Sequence, residues 1–380
     1  MTTPMVAGTG SAALSPDTTR PLPTSSILSV TPYKSGDAVL PGHSNPIRLA
    51  SNENPLGTSV AARAAFMECS ERLSRYPDPG ALRLREAIAT LNMVKPEQII
   101  CTAGSDQLIQ LVVRAYLAPG DELIQSQYGF SIYRIFAQLA GVTVKLAPER
   151  KLTADVDQIL GLVSPRTKVV CVANPNNPTG TYIPARELQR LHASLPPSVL
   201  LVIDDAYAEY VDSPDYSDGM ALVRDSENVL ITRTFSKIYG LASLRLGWGH
   251  GSPGTIDALN RVREPFNVAA AAQAAGIAAI GDQHFVAHSR RHNTTQRTRL
   301  LDRLNRVGYE ATASVCNFLL VEIPGSEGRG AALADEFLRS AGIIVRRVDS
   351  YGLKSHLRIT IGTQDDCDAV ADTLERFAGL

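Results

Sequence analysis

The stretch "QIICTAGSDQLIQLVVRAYL", residues 98 to 117, changes its hydrophobic period in the middle. Its first part, "QIICTA" (98–103), is a short apolar run and reads as a strand. From Ser105 onward Leu108, Leu111, Val112 and Ala115 recur at helical spacing, and "APGD" stops the helix. The same change of period recurs along the chain. "ELIQS" (122–126), "KVVCVA" (168–173), "VLLVID" (199–204) and "NVLITR" (228–233) are further strands, and "ARELQRLHASL" (185–195) is a helix between two of them. Such alternation predicts an α/β domain with a mainly parallel sheet covered on both faces.

Beyond about residue 270 the pattern differs. "AAAAQAAGIAAIG" (269–281) is a helix of small residues and "HFVAHSRRHNTTQRTRLLDRLNRVG" (284–308) a long charged one. "CNFLLVEI" (316–323), "IIVRRV" (343–348) and "LRITIG" (357–362) are strands around the helix "AALADEFLRSAG" (331–342), which together predict a second, α+β unit with its own sheet. A chain of 380 residues, 44% of them hydrophobic, has material for two such units, since single cores stop growing near ~250–300 residues.

Charge is balanced, with 37 basic against 38 acidic residues, so no global field attracts nucleic acid or an anionic membrane. That points to a small-molecule or protein partner. Five cysteines, Cys69, Cys101, Cys171, Cys316 and Cys367, form no C-x-x-C pair, which fits a reducing compartment. No apolar stretch is long enough to cross a bilayer, and the first 25 residues lack a basic region followed by an apolar block. Rich in Pro, Thr, Ser and Gly, with Arg20 their only basic residue, they read as a disordered arm. A cytoplasmic protein is expected.

Ligands of open α/β sheets bind beyond the carboxyl ends of the strands. Four of those ends here carry polar chemistry. After "QIICTA" come Gly104, Ser105 and Asp106; after "KVVCVA" comes "NPNNPTG" (174–180); "VLLVI" ends in Asp204 and Asp205; after "NVLITR" come Thr234, Ser236 and Lys237. Gly104 and Ser105 sit where a strand turns into a helix, a place that stabilises a phosphate, helped by Ser236, Thr234 and Arg245; Ser105 is equally a good helix cap. The G-x-G-x-x-G and Walker A patterns are absent, which argues against a nicotinamide enzyme or P-loop NTPase. Asn177, in a proline-stiffened loop, can project an amide donor. A carboxylate at the end of a very apolar strand needs a cation or donors; strand alternation and the spacing to Tyr207 favour Asp204 over Asp205 for a protonated ring nitrogen. Lys237 beside the cation Arg245 has the setting of a reactive amine with a lowered pKa. His284, His288 and His292 recur every four residues without acidic or cysteine ligands and read as a solvated helix face rather than a metal site.

Together "LASNENPLG", "RYPDPG", "NPNNPTG", "DDAYAEY", "RTFSKIYGLASLRLGW" and "LRITIGT" resemble the pyridoxal-phosphate-dependent aminotransferases of the aspartate-aminotransferase fold, and among them the histidinol-phosphate aminotransferases most. The resemblance spans about residues 27 to 375. It implies fold type I: a large domain with a mainly parallel seven-stranded sheet between helices (61–270), and a smaller α+β domain made of 26–60 plus 271–380. It implies pyridoxal 5'-phosphate as cofactor, with Lys237 as Schiff-base lysine and proton carrier, Asp204 on the pyridinium nitrogen, and Tyr207 and Asn177 on the phenolic oxygen. Tyr128 would stack on the ring, and Gly104, Ser105, Asp106, Thr234, Ser236 and Arg245 would surround the phosphate. Arg358, with Arg346 and Tyr33 as helpers and Asn177 beside them, would bind the substrate's anionic group. Tyr76 would reach the partner's site in a homodimer. The implied reaction passes the amino group of L-histidinol phosphate to 2-oxoglutarate, a step in histidine synthesis. An aromatic amino acid aminotransferase is the alternative, and a threonine-phosphate decarboxylase a further relative. Ser243 departs from the pattern, standing where the family commonly has glycine.

Overall fold

The computed structural model describes residues 21–32, 36–325 and 329–379. The expected arm of residues 1–25 lies mostly outside the described residues; within its described end a short helix begins, Ser25–Leu28.

The larger sheet has seven strands. In chain order these are β1 (Ile99–Thr102), β2 (Glu122–Ser126), β3 (Thr143–Ala147), β4 (Thr167–Ala173), β5 (Leu200–Asp204), β6 (Val229–Thr234) and β7 (Gly247–Gly251). They lie side by side as β1-β7-β6-β5-β4-β2-β3. Only β7 runs antiparallel to its neighbours. Successive residues of the central strands face opposite sides. Val169, Cys171, Val202 and Leu230 join one apolar cluster, and Val170, Val172, Leu201, Ile203 and Ile231 join another. Both faces are covered, which is why these strands read as unbroken apolar runs.

Strand β7, "GWGHG", carries no such signal. A Cβ on Gly247 would lie 2.5 Å from the backbone nitrogen of Ser105, so only glycine lets the helix Gly104–Tyr116 start this close to the sheet. The longer helices, of nine residues or more, are α1 (Val60–Glu68), α2 (Leu82–Asn92), α3 (Gly104–Tyr116), α4 (Ser131–Leu139), α5 (Ala185–Ser194), α6 (Pro253–Val262), α7 (Ala270–Gly281), α8 (Gln283–Arg306), α9 (Arg329–Ser340) and α10 (Gln364–Ala378).

The smaller sheet is antiparallel, with β8 (Glu310–Ala311), β9 (Phe318–Glu322), β10 (Arg346–Arg347) and β11 (His356–Thr360) in the order β8-β9-β11-β10. The expected strand 343–348 is split, because Ile343–Ile344 pairs elsewhere, in parallel with Ile47–Arg48. This pairing draws the segment before α1 across to the smaller sheet, where the Thr360 N–H donates to the Leu49 carbonyl, and Ala50, Ser51 and Asn52 then enter the cleft. Helix α7, expected with the smaller unit, packs on α1 and α2 instead; its buried alanines Ala272, Ala275 and Ala279 share the cluster of Leu84, Ile88 and Trp248.

Candidate active site

The strand ends close around one cleft of about 210 Å³. Ser105 and Asp106 reach it from just past the end of β1, Asn177 from the loop after β4, Asp204 from the end of β5 with Tyr207 just beyond it, and Thr234 from the end of β6 with Ser236 and Lys237 just beyond it. The smaller sheet adds Arg346 and Arg358, register partners on β10 and β11.

Lys237 is half-buried, its Nζ donating to the Ser51 carbonyl at 3.2 Å and lying 5.8 Å from the centre of the Tyr207 ring. Burial, then the positive charge of Arg358, lowers its pKa to about 8 against the opposing pull of Asp106. Arg245, the cation expected to act on this amine, contributes less than either. At a pKa of about 8 a useful share of the amine is neutral and nucleophilic near neutral pH.

Both strand-end aspartates are buried, and they face opposite ways. Asp205 turns from the cleft to the guanidinium of Arg233, 3.8 Å away. Asp204 lines the cleft, its Oδ2 accepting from the Tyr133 hydroxyl at 2.6 Å and its Oδ1 from the Thr232 hydroxyl at 2.9 Å. Burial pushes the Asp204 carboxyl up while these two bonds hold it down. Neither bond comes from a cation, so the site retains a demand for positive charge that a protonated ring nitrogen would meet.

Gly104 opens α3 with φ of 78°, a left-handed conformation, and a Cβ there would lie 2.5 Å from an Arg245 nitrogen. Arg245 donates to the Ser236 hydroxyl at 3.2 Å and pairs with Asp106 at 3.3 Å. The Thr234 hydroxyl accepts from the Ser236 N–H at 3.1 Å and so shapes the turn that presents Ser236. A helix N-terminus, two serines and an arginine around a glycine-lined hollow make a cradle for a phosphate.

The Tyr207 hydroxyl accepts from Asn52 Nδ2 at 2.8 Å. The Asn177 side-chain Oδ1 accepts from Arg358 at 2.5 Å, and a second Arg358 nitrogen donates to the Ala50 backbone carbonyl at 2.6 Å. Arg347 turns away to Asp349, which assigns the cleft position to Arg346. Tyr128 does not reach the cleft. The turn after β2 sends its ring into a cluster with Leu320, Val348 and Leu353, and Phe130, two residues on, lines the cleft instead. Tyr33 lies outside the described residues, and Tyr76 is exposed, stacked on Phe266 at 4.5 Å. Among the expected helix-face histidines, His284 and His288 are exposed, and His292 is within 2.9 Å of the Gly362 carbonyl.

Sequence reasoning missed Tyr133, Thr232, Phe130 and Asn52 as site residues. Thr232 sits on a strand recognised only by its apolar pattern, and the helix that carries Tyr133 was not read from the sequence. Asn52 stands inside "LASNENPLG", whose polar residues far from any strand end were the available signal.

The family model for aminotransferases of class I and II matches residues 44–374. A histidinol-phosphate aminotransferase of Maricaulis maris is 50% identical over 355 residues, 93% of this chain and 98% of the relative. One from Granulibacter bethesdensis is 50% identical over 357 residues, 94% and 96% of the two chains. Among solved structures, the histidinol-phosphate aminotransferase of Sinorhizobium meliloti in complex with pyridoxal-5'-phosphate superimposes with a TM-score of 0.87 at 27% identity, covering 94% of this chain and 97% of that one.

Proposed function

Since the chain belongs to the class I and II aminotransferases, we propose that it is a pyridoxal-phosphate-dependent transaminase that converts L-histidinol phosphate and 2-oxoglutarate to imidazole-acetol phosphate and L-glutamate, a step of histidine synthesis. The observation that carries the substrate class is the pair Arg346 and Arg358, adjacent across two strands and facing the same cleft as Lys237. Two guanidinium groups suit a phosphate dianion better than a single carboxylate.

When bound, pyridoxal 5'-phosphate supplies an aldehyde with which amines condense and a cationic ring that withdraws electrons. Ser105, Ser236 and Arg245 hold its phosphate at the positive end of α3, with the backbone of Gly104 leaving the room. Asp204, whose carboxyl oxygens accept from Tyr133 and Thr232, would stabilise the proton on the ring nitrogen. Tyr207 and Asn177 donate to the phenolic oxygen. Lys237 Nζ, its pKa about 8, would anchor the cofactor at its aldehyde carbon and, once displaced by the substrate amine, would move the proton between the substrate Cα and that carbon. Arg358, held between Ala50 and Asn177, and Arg346 orient the substrate's anionic end so that its Cα meets that amine.

We propose further that the enzyme is a cytoplasmic homodimer in which Tyr76 serves the partner's cleft. The exposed Val60, Met67, Leu73 and Tyr76 support an apolar contact face, and five free cysteines, four of them buried, support a reducing compartment. No helix among the described residues is long and apolar enough to cross a membrane. Residues 61–270 would form the cofactor-binding unit, and 26–60 with 271–380 a smaller one, with α7 riding on the larger.

The test is a panel of half-reactions on the cofactor-loaded protein, following loss of its visible absorbance with histidinol phosphate, phenylalanine, tyrosine or threonine phosphate and analysing the product. Fast conversion by histidinol phosphate to the ketone is expected. Equal or faster conversion of the aromatic amino acids would reassign the substrate, and carbon dioxide from threonine phosphate would reassign the reaction.

A further inference from the structure

We infer that Asn52 sets the direction in which the Tyr207 phenol donates, making Asn52 and Thr360 positioning residues for the group that faces the cofactor's phenolic oxygen. The inference rests on the role of Tyr207 proposed above. It follows from which atoms can only donate. The backbone N–H of Asn52 has no other option, and it donates to Thr360 Oγ1 at 3.0 Å. The hydroxyl proton of Thr360 then goes to Asn52 Oδ1, also at 3.0 Å.

These two bonds orient the amide. With Oδ1 turned to Thr360, Nδ2 faces Tyr207 and donates to its hydroxyl oxygen at 2.8 Å. A flipped amide would leave the buried Thr360 proton without an acceptor, at the cost that attends any buried unpaired donor. A phenol that accepts from Asn52 carries its own proton elsewhere. Tyr207 lines the cleft, so the proton is directed into it.

Asn52, Thr360 and Tyr207 are 1%, 2% and 3% exposed, which keeps water from competing for these bonds. The backbone is matched to the task. Asn52 has φ of 56°, which asparagine tolerates better than most residues, and Asn317 Nδ2 holds its carbonyl at 3.0 Å. The polarity thus starts at a peptide N–H in the crossing segment, passes through β11 of the smaller sheet, and ends on Tyr207, three residues past the end of β5 of the larger one.

The experiment is a double-mutant cycle on the cofactor-loaded protein, reading the dissociation constant for pyridoxal 5'-phosphate and the pH midpoint of its visible absorbance. Asp204, Lys237 and Arg358, the charged groups around Tyr207, stay in place throughout. Tyr207→Phe is expected to move the midpoint up, because a donor to the phenolic oxygen matters most when that oxygen carries its full negative charge. Asn52→Asp, of the same shape but accepting only, turns the phenol proton back. It is expected to raise the midpoint by about one unit and weaken binding about tenfold when Tyr207 is present, with much smaller effects in the Tyr207→Phe background. Equal effects in both backgrounds would mean that only the added charge acts and would overturn the inference. Asn52→Gly is uncharged, suits the same φ and guards against misfolding. It is expected to weaken cofactor binding about threefold with Tyr207 and not without it; a loss of thermal stability alone would also overturn the inference. If Tyr207→Phe itself changes neither quantity, the proposed role of Tyr207 fails instead.

Discussion

The hydroxyl of Tyr133 lies 2.6 Å from Oδ2 of Asp204 and donates to it, tying helix α4 to the end of strand β5. Tyr133 is fully buried, so the bond is made out of water, where it holds both the charge and the plane of the carboxylate. Thr232, from the neighbouring strand β6, does the same for Oδ1.

Replacing the phenol alone therefore tests Asp204 without changing its identity. Tyr133→Phe keeps the ring in its pocket and removes one donor from a buried anion, a loss of about 1–2 kcal/mol. The dissociation constant for pyridoxal 5'-phosphate is expected to rise about tenfold by equilibrium dialysis. Asp204→Asn, which removes the charge itself, is expected to slow the half-reaction by more than ~100-fold.

Lys237 gives a prediction for the cofactor-free protein. Its amine has a pKa of about 8 when folded against 10.5 when unfolded, so between these values the unfolded chain binds more protons. Stability from this group therefore rises with pH across that window and is lowest below it. Buried cysteines and tyrosines, whose pKa values are raised in the fold, lower stability across the same window in native and variant alike. The result expected from thermal unfolding is therefore a stability difference between the native protein and Lys237→Ala that shifts in the native protein's favour as pH rises through the window. With cofactor added, the same variant is expected to show neither the visible Schiff-base band nor turnover.

Gly104 tests the phosphate cradle. An alanine there would carry strain at φ of 78° and put a Cβ 2.5 Å from the Arg245 guanidinium, which is free to swing aside. The expected consequence is a displaced arginine. Gly104→Ala should bind pyridoxal 5'-phosphate at least about tenfold more weakly while losing little affinity for pyridoxal, which lacks the phosphate.

Arg358 tests the substrate side. Arg358→Ala removes a guanidinium that bonds Asn177 and Ala50 and is expected to raise the KM for the amino donor by about 100-fold, with cofactor still bound. Loss of cofactor from this variant would move Arg358 to the other side of the site.

The parallel strands and the lysine were legible in sequence because their signals are local. Apolar runs such as "KVVCVA" mark strands buried on both faces, and polar residues follow directly at their ends. Strand β7 was illegible because its glycines answer to the approach of α3, and β3 because its partly exposed residues form no apolar run. The placement of α7 against α1 and α2 depends on packing between segments about 200 residues apart, which periodicity does not encode. Phe130 and Tyr128 differ for a similar reason. Which of two aromatics enters the cleft is decided by the turn through Gly129, whose N–H bonds the Ser126 carbonyl, and by Asn176 gripping the Tyr128 carbonyl.

Tyr76 makes the assembly testable. It is 83% exposed and stacked on Phe266, and it does not line the cleft of its own chain. If it serves the partner, Lys237→Ala and Tyr76→Ala subunits damage different sites of a mixed dimer. In such a dimer one cleft combines both changes and the other has neither, because the intact lysine comes from one chain and the intact tyrosine from its partner. Random equal mixing yields half mixed dimers with one sound site each, so about a quarter of native activity is expected after co-refolding two poorly active variants. A tyrosine acting within its own chain would leave every site of the mixed dimer damaged, and mixing would then restore nothing.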